Sequence, residues 1–293
     1  MKLKHVQGVY AAVLTPRSAR GDVDVAAFTA IIRFLAEKGV RRFAVNGATG
    51  EYCLTTPAQL ELLLATVQTT CKDAEVLCGV GAAGTAETCE LAGIAERAGV
   101  HGLLLPMPYF FPYDQQDLLA FSEEVARNVT LPVLLYNLSQ FTTGLDAQTV
   151  CDLCQSVPNI IGIKDSSGSL DILRALRTHV PDACCIVGND QALAPALQED
   201  LCDGVVSGVA CVVPELIQAL YAQLVGSPEF ALRSGQLDQF IEQLGRSPTP
   251  WGLKWVAEER GLMNASFTLP LSEQRRTEGA ALKQWCRNWL TTL

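Results

Sequence analysis

Short apolar runs of strand length alternate along the chain with longer segments in which apolar residues recur at helical spacing. Between the runs lie segments such as VAAFTAIIRFLAEKG, AETCELAGIAERAG and QDLLAFSEEVARN, whose apolar residues repeat every three to four positions. The runs themselves are GVYAAVLT, RFAVNG, EVLCGVG, GLLLPM, PVLLYN, IIGIKD, CCIVGN and GVVSGV. The pattern therefore predicts a strand followed by a helix, repeated eight times.

These runs are apolar at successive positions, which is typical of parallel strands covered on both faces. Eight β-α units are the number that closes into a barrel. We therefore expect an α/β protein whose residues 1–225 form a (β/α)8 TIM barrel, with a doubly wound open sheet as the alternative. Residues 226–293 contain further helical patterns, such as WGLKWVAEERG, and are predicted to form a C-terminal helical extension packed on the barrel.

Composition narrows the possible partners of this chain. Of its 293 residues, 49% are hydrophobic and 18% are charged, and the net charge is −9. With no basic stripe, neither nucleic acid nor an anionic membrane is an expected partner. No apolar run approaches the roughly 18 residues of a membrane span, and the first residues lack a signal-peptide pattern. We therefore expect a cytoplasmic protein.

The eleven cysteines are scattered through apolar segments, which favours reduced thiols in the core. Cys151 and Cys154 form a C-x-x-C pair in a helical pattern. A zinc site needs two further ligands, and the sequence offers neither a second such pair nor a nearby histidine. No metal site is predicted.

The chemistry of a barrel enzyme lies where its strands end and its βα loops begin. Tyr136 and Lys164 end the fifth and sixth predicted strands, so their side chains can converge. A neutral lysine amine forms an imine with a ketone or aldehyde, and a tyrosine hydroxyl can carry the protons. Because an ordinary lysine pKa is about 10.4, such a lysine needs an apolar surrounding, which we expect the flanking IIGI to supply.

Each of these two residues also has a purely structural interpretation. Lys164 could be the point where a buried strand reaches solvent, and Tyr136 could be a core tyrosine with a satisfied hydroxyl. The loop NGATGEY, residues 46–52, could direct backbone N–H groups and the Thr49 hydroxyl at an anion, or Thr49 could simply cap the next helix.

The glycine pattern GVGAAG, residues 79–84, matches a dinucleotide-binding fingerprint only weakly. It follows the third strand rather than the first, and the acidic residue expected about 20 positions later is missing. Glycines at a tight βα corner are the favoured explanation, and a nicotinamide enzyme remains an alternative.

Taken together, the motifs resemble the dihydrodipicolinate synthase/N-acetylneuraminate lyase family of Schiff-base aldolases. The resemblance rests on AVLTP (12–16), GATGEY (47–52), PYFFP (108–112), YN (136–137), GIKDSSG (162–168) and GVVSG (204–208), in family order. It implies a TIM barrel without a cofactor that assembles as a homotetramer, a dimer of dimers.

The resemblance also implies roles for individual residues. Lys164 would form the imine with a small 2-keto acid, Tyr136 would shuttle the proton, and Thr49 with the amides of Ala48 and Thr49 would hold the carboxylate. The further substrate-binding residues that it implies are Gly47, Tyr109, Phe110, Phe141, Val206 and Ser207.

Three residues depart from the pattern of the lysine-biosynthetic synthase. Ala48 stands where that enzyme has a threonine, Phe110 where it has a second tyrosine, and Phe141 where it has an arginine. Neither alanine nor phenylalanine can carry a proton or bind a carboxylate. We therefore expect a relative of the branches that cleave or dehydrate 2-keto-3-deoxy sugar acids. The alternatives are synthase-type condensation of pyruvate with an aldehyde, and a non-catalytic binder of keto acids.

Overall fold

The chain forms a closed barrel of parallel strands. In the computed structural model, which describes residues 6–245 and 247–293, eight strands pair in sequence order and the last pairs with the first. They are β1 (Gly8–Ala12), β2 (Arg42–Val45), β3 (Glu75–Gly79), β4 (Gly102–Pro106), β5 (Val133–Asn137), β6 (Ile160–Asp165), β7 (Cys184–Val187) and β8 (Gly204–Ser207). Each predicted strand is present, so the TIM-barrel prediction is confirmed and the open-sheet alternative is wrong.

Helices surround the barrel and continue beyond it. The helices that follow the strands are α1 (Val25–Glu37), α2 (Pro57–Thr70), α3 (Thr85–Arg97), α4 (Gln115–Arg127), α5 (Ala147–Ser156), α6 (Asp171–His179), α7 (Leu193–Gln198), α8 (Val209–Val212) and α9 (Pro214–Ala222). The C-terminal helices are α10 (Pro228–Leu244), α11 (Trp251–Glu259) and α12 (Glu273–Trp289). Among the described residues, no helix is both long and apolar enough to cross a membrane.

Two hydrophobic clusters fill the molecule, one on each face of the sheet. Tyr10, Leu104 and Ile186 belong to the cluster inside the barrel. A larger cluster lies between the strands and the helices, and it includes Trp255 and other side chains of the C-terminal helices. The C-terminal helices therefore share the outer core of the barrel.

A β-bulge interrupts the pairing of β5 with β6. Val133 lies opposite Ile160, but the next residue of β5, Leu134, lies opposite Gly162, so Ile161 is an extra residue. A bulge of this kind reverses which face the following side chains occupy. Ile160 packs against the helix layer, and simple alternation would send Lys164 the same way. The bulge instead turns Lys164 into the barrel, in register with Tyr136.

Gly162 makes this bulge possible. Its φ is +153°, and a Cβ there would lie 2.1 Å from the carbonyl oxygen of Cys184 on β7. Real Cβ atoms do not approach a backbone atom so closely. A side chain at position 162 is therefore incompatible with the present packing of β6 against β7.

The cysteines are thiols, as the sequence predicts, and Cys78, Cys185 and Cys211 are among those buried in the core. Burial raises the pKa of several of these thiols, and that of Cys78 reaches about 12. In the described part of the chain, no three histidine, cysteine or acidic side chains lie together in a way that could hold a metal ion.

Candidate active site

A cavity of about 300 Å³ lies at the carboxyl end of the barrel strands. Its wall combines residues of the barrel with residues of the C-terminal extension. The barrel supplies Ala48, Thr49, Tyr136, Leu138, Gln140, Phe141, Lys164, Ser166, Gly188, Asn189, Asp190, Gln191, Val206, Gly208 and Val209. The extension supplies Ile241, Leu244, Gly245, Ser247, Pro248, Thr249, Pro250, Gly252 and Leu253.

Lys164 and Tyr136 meet at the base of this cavity. They are paired residues on β6 and β5, and the Lys164 Nζ lies 3.7 Å from the centre of the Tyr136 ring. Lys164 is only 3% exposed. Gly188 makes room for it, because a Cβ there would lie 2.7 Å from the Lys164 Cε. The interpretation of Lys164 as a strand end meeting solvent is therefore wrong.

The apolar surrounding of Lys164 differs from the sequence prediction. Of the IIGI segment, Ile160 and Ile163 pack against the helix layer, and only Ile161 packs with the barrel interior. The apolar wall comes mainly from neighbouring strands, where Ile186 is paired with Lys164 and Val206 lines the cavity. Successive side chains of a strand face opposite sides of the sheet, so Ile163 does not share a face with Lys164.

The loop after β2 presents two backbone amides. Gly50 and Glu51 donate hydrogen bonds of 3.0 Å back to the carbonyls of Gly47 and Ala48. Within residues 6–245 and 247–293, the amides of Ala48 and Thr49 donate to no protein acceptor, and both residues line the cavity. Free amides at a tight turn are suited to an anion. Thr49 does not cap the next helix, so that alternative is wrong.

Asp190 is a cavity residue that the sequence analysis did not select. Its Oδ2 accepts a hydrogen bond of 3.2 Å from the Val209 amide. Burial raises the pKa of the Asp190 carboxyl, while the Ser207 hydroxyl, the Val209 amide and the positive charge of Lys164 oppose that rise. Asp190 follows β7 in the sequence GND. This position after a strand was the one sequence feature that could have identified it as a cavity residue.

Four of the predicted substrate residues do not line the cavity. Gly47 is buried at the start of the turn, and Ser207 is buried and accepts a hydrogen bond from the Ala210 amide. Tyr109 packs on Tyr52, with ring centroids 6.0 Å apart. Phe110 is 84% exposed, because its φ of +87° turns the side chain outward. The cavity of one chain therefore contains Ala48, Thr49, Tyr136, Phe141, Lys164 and Val206 from the predicted set.

Behind the cavity, Asn137 and Asp165 form a polar link on the outer face of the sheet. Asn137 donates a 3.0 Å hydrogen bond to the Asp165 Oδ1, which also accepts from the Ser167 amide at 2.8 Å. The Asn137 Oδ1 accepts from the Leu145 amide at 3.1 Å. Burial raises the pKa of the Asp165 carboxyl, and these hydrogen bonds oppose the rise. The link ties the loops after β5 and β6 to the strands that carry Tyr136 and Lys164.

A TIM barrel with a buried lysine and a tyrosine at the carboxyl end of adjacent strands defines a lyase of the aldolase type. The chain belongs to the dihydrodipicolinate synthetase family, whose sequence model matches residues 5–287.

Individual relatives agree with this assignment. The 4-hydroxy-tetrahydrodipicolinate synthase of Exiguobacterium sibiricum is 30% identical over 288 residues, covering 97% of this chain and 98% of that protein. The structure of dihydrodipicolinate synthase from Cyanidioschyzon merolae with lysine bound has a TM-score of 0.89 at 28% identity, covering 99% and 100% of the two chains. N-acetylneuraminate lyase from Mycoplasma synoviae, at 19% identity over 97% of each chain and a TM-score of 0.85, shares the fold.

These relatives correct one prediction. The departures at Ala48, Phe110 and Phe141 led us to expect a chain closer to the 2-keto-3-deoxy acid branches. The curated relative reported above and two further curated relatives at 28% identity are instead named 4-hydroxy-tetrahydrodipicolinate synthase. The departures concern three positions, whereas the similarity to the synthases extends over almost the whole chain.

Proposed function

We propose that this protein is a class I aldolase that binds a 2-keto acid, with pyruvate as the simplest, as an imine on Lys164. The enzyme then joins the bound keto acid to an aldehyde, or runs that step in reverse. The observation that carries the proposal is the placement of Lys164 against the Tyr136 ring, 3.7 Å away, in a cavity that also exposes the Ala48 and Thr49 amides.

The proposed reaction begins when the neutral Lys164 amine adds to the keto carbon, and the hydroxyl so formed takes up a proton and leaves as water, giving an iminium. The iminium withdraws electrons from the neighbouring carbon, which loses a proton to form an enamine. The enamine carbon attacks the aldehyde carbon, and the aldehyde oxygen takes up a proton. Water then hydrolyses the new iminium, which frees the product and restores the amine.

In this scheme Tyr136 carries protons to and from the oxygen atoms, because its ring lies directly against Lys164. The carboxylate of the keto acid lies at the turn formed by residues 47–50, where the unpaired amides of Ala48 and Thr49 and the Thr49 hydroxyl can bind it. Val206 and Ile186 form a buried apolar wall beside the amine.

The names of the relatives favour condensation of pyruvate with an aldehyde as the working direction. A second candidate is cleavage or dehydration of a 2-keto-3-deoxy sugar acid. It is favoured by Phe141, which lines the cavity where the family resemblance implies an arginine in the synthase, and by Ala48 in place of a threonine.

The test combines trapping with a substrate panel. Borohydride reduction in the presence of pyruvate should leave a pyruvate-derived mass on Lys164, and Lys164→Ala should abolish both labelling and turnover. Pyruvate consumption is then measured with amino-acid aldehydes and with uncharged hydroxyaldehydes, and pyruvate release with 2-keto-3-deoxy acids. A wild-type Lys164 that stays unlabelled would refute the proposal, while labelling without any turnover would leave a keto-acid binder.

We also propose that the chain assembles as a homotetramer, a dimer of dimers. The support from this chain is the exposed pair Phe110 and Phe111, whose rings meet edge-to-face at 4.9 Å, since contiguous exposed aromatic surface marks an interaction site. Light scattering should give a tetramer mass, and Phe110→Ser with Phe111→Ser should lower it. A wild-type monomer would contradict the proposal.

A further inference from the structure

A buried ion pair joins the C-terminal extension to the loop that follows β2. The Lys254 Nζ on α11 lies 2.6 Å from the Glu51 Oε2, and Lys254 is 1% exposed and Glu51 7% exposed. Lys254 also donates a 2.9 Å hydrogen bond to the carbonyl of Ser266, and its Nζ lies 5.8 Å from the Phe267 ring centre. A lysine and a glutamate are rarely buried this far unless they are paired.

Glu51 belongs to the turn that exposes the two cavity amides. Its backbone is left-handed, with φ +55°, and its amide closes the turn by donating to the carbonyl of Ala48 at 3.0 Å. A glutamate in this conformation is held there by its surroundings rather than by its own preference. The group paired with its carboxylate is the Lys254 ammonium, and the Arg17 guanidinium is a second positive charge that interacts with it.

The pair is also connected to the loop after β1. Ser266, whose carbonyl accepts from Lys254, donates its hydroxyl to the carbonyl of Arg17 at 2.6 Å. The Arg17 guanidinium bonds to Thr55 at 2.8 Å, just beyond the turn. The turn is therefore fixed from outside the cavity by groups of the extension and of the first βα loop.

The charge of Glu51 has a second consequence. A bare carboxylate buried at the end of an anion-binding turn would repel a bound carboxylate, and the low local polarity would strengthen that repulsion. Lys254 cancels this charge. Removing Lys254 therefore both releases the turn and leaves a negative charge beside the anion site.

We propose that Lys254 is a positioning residue for the carboxylate of the 2-keto acid, acting through its ion pair with Glu51. This inference rests on the proposed function. It makes the C-terminal extension part of the substrate-binding machinery, through a residue that does not itself line the cavity.

The test compares two carbonyl compounds that differ in a carboxylate. Pyruvate or acetone is added at increasing concentration in the presence of borohydride, and labelling of Lys164 is measured by mass spectrometry. The proteins compared are the wild type, Lys254→Met, and the double variant Glu51→Gln with Lys254→Met. The matched control is Lys283→Gln, which breaks a partly exposed ion pair with Glu258 in the same extension, at 2.7 Å. Circular dichroism and thermal melting check the folding of each variant.

We expect the half-saturating pyruvate concentration to rise about tenfold or more in Lys254→Met, which corresponds to one lost polar contact. The double variant should show a smaller rise, because the Glu51 charge is removed together with that of Lys254. Acetone labelling should stay within about twofold in both variants, and Lys283→Gln should match the wild type.

Equal shifts for pyruvate and acetone, or no shift for either, would overturn the inference. If Lys254→Met does not fold, the double variant decides, since it buries no charge alone. Failure of both to fold would assign the pair to stability alone and also overturn it. A wild type that pyruvate does not label refutes the proposed function instead, so the two failures are distinguishable.

Discussion

Replacing Gly162 with alanine is the sharpest test of how this fold aims its lysine. The added Cβ would lie 2.1 Å from the Cys184 carbonyl oxygen and 2.6 Å from the Cys184 nitrogen, whereas ordinary van der Waals contact begins near 3.4 Å. Both atoms belong to the backbone of β7, so no side-chain rotation can relieve the overlap. The strands must separate, or β6 must lose its bulge.

The expected loss of folding free energy in Gly162→Ala has two parts. Overpacking against a rigid neighbour costs about 1–3 kcal/mol, and a φ of +153° on a non-glycine residue costs about 1–3 kcal/mol more. The sum of about 2–6 kcal/mol corresponds to a fall in Tm of roughly 5–20 °C for a chain of this size. If the bulge is lost instead, Lys164 turns towards the helix layer and borohydride labelling with pyruvate should disappear.

Thermal melting and labelling of Gly162→Ala are measured beside a control glycine. Gly235, within α10, is the matched control, because a Cβ there meets no atom within 4 Å. Gly235→Ala should stabilise the protein by about 0.5–1 kcal/mol, since alanine favours a helix more than glycine does. If Gly162→Ala melts within about 1 °C of the wild type and is labelled normally, the bulge that orients Lys164 does not require glycine at position 162.

Three further substitutions test the site. Tyr136→Phe keeps the ring against Lys164 but removes the hydroxyl, so rapid-quench trapping should show imine formation slowed about 10²–10⁴-fold with an unchanged Tm. Imine formation at the wild-type rate would show that Tyr136 does not transfer the proton. Burial raises the pKa of Asp190 above its ordinary 3.8, so ionising this carboxyl costs folding free energy as the pH rises through that raised value. Asp190→Asn should thus gain stability over the wild type in urea unfolding as the pH rises above 3.8, and a pH-independent difference would contradict this. Asn137→Ala removes one of the donors to the buried Asp165 and should cost about 1–3 kcal/mol by the same urea assay; an unchanged urea midpoint would show that the link carries no stability.

The barrel and its central pair, Tyr136 and Lys164, were predictable from the sequence for physical reasons. Strands covered on both faces must be apolar at successive positions, and consecutive parallel strands in a barrel are neighbours. The side chains that end strands five and six, Tyr136 and Lys164, therefore had to lie close together once the fold was correct.

Other features depend on backbone detail that a sequence pattern does not carry. If side chains simply alternated between the two faces of β6 from Ile160 onwards, Lys164 would face the helix layer. The bulge at Ile161 prevents this, and it is visible only in the pairing of β5 with β6. The outward turn of Phe110 depends on a positive φ that its residue type does not suggest. Glu51 and Lys254 meet although about two hundred residues separate them, and neither belongs to a motif that predicts a contact.

The link between Asn137 and Asp165 has a consequence for redesign of this enzyme. Each residue directly follows one of the central pair along its strand, yet it faces the opposite side of the sheet. The loop after β5, which contributes Gln140 and Phe141 to the cavity, is thus anchored by the Leu145 amide from outside the cavity. A library that varies Gln140 and Phe141 can therefore reshape the cavity wall while the lysine and tyrosine keep their places.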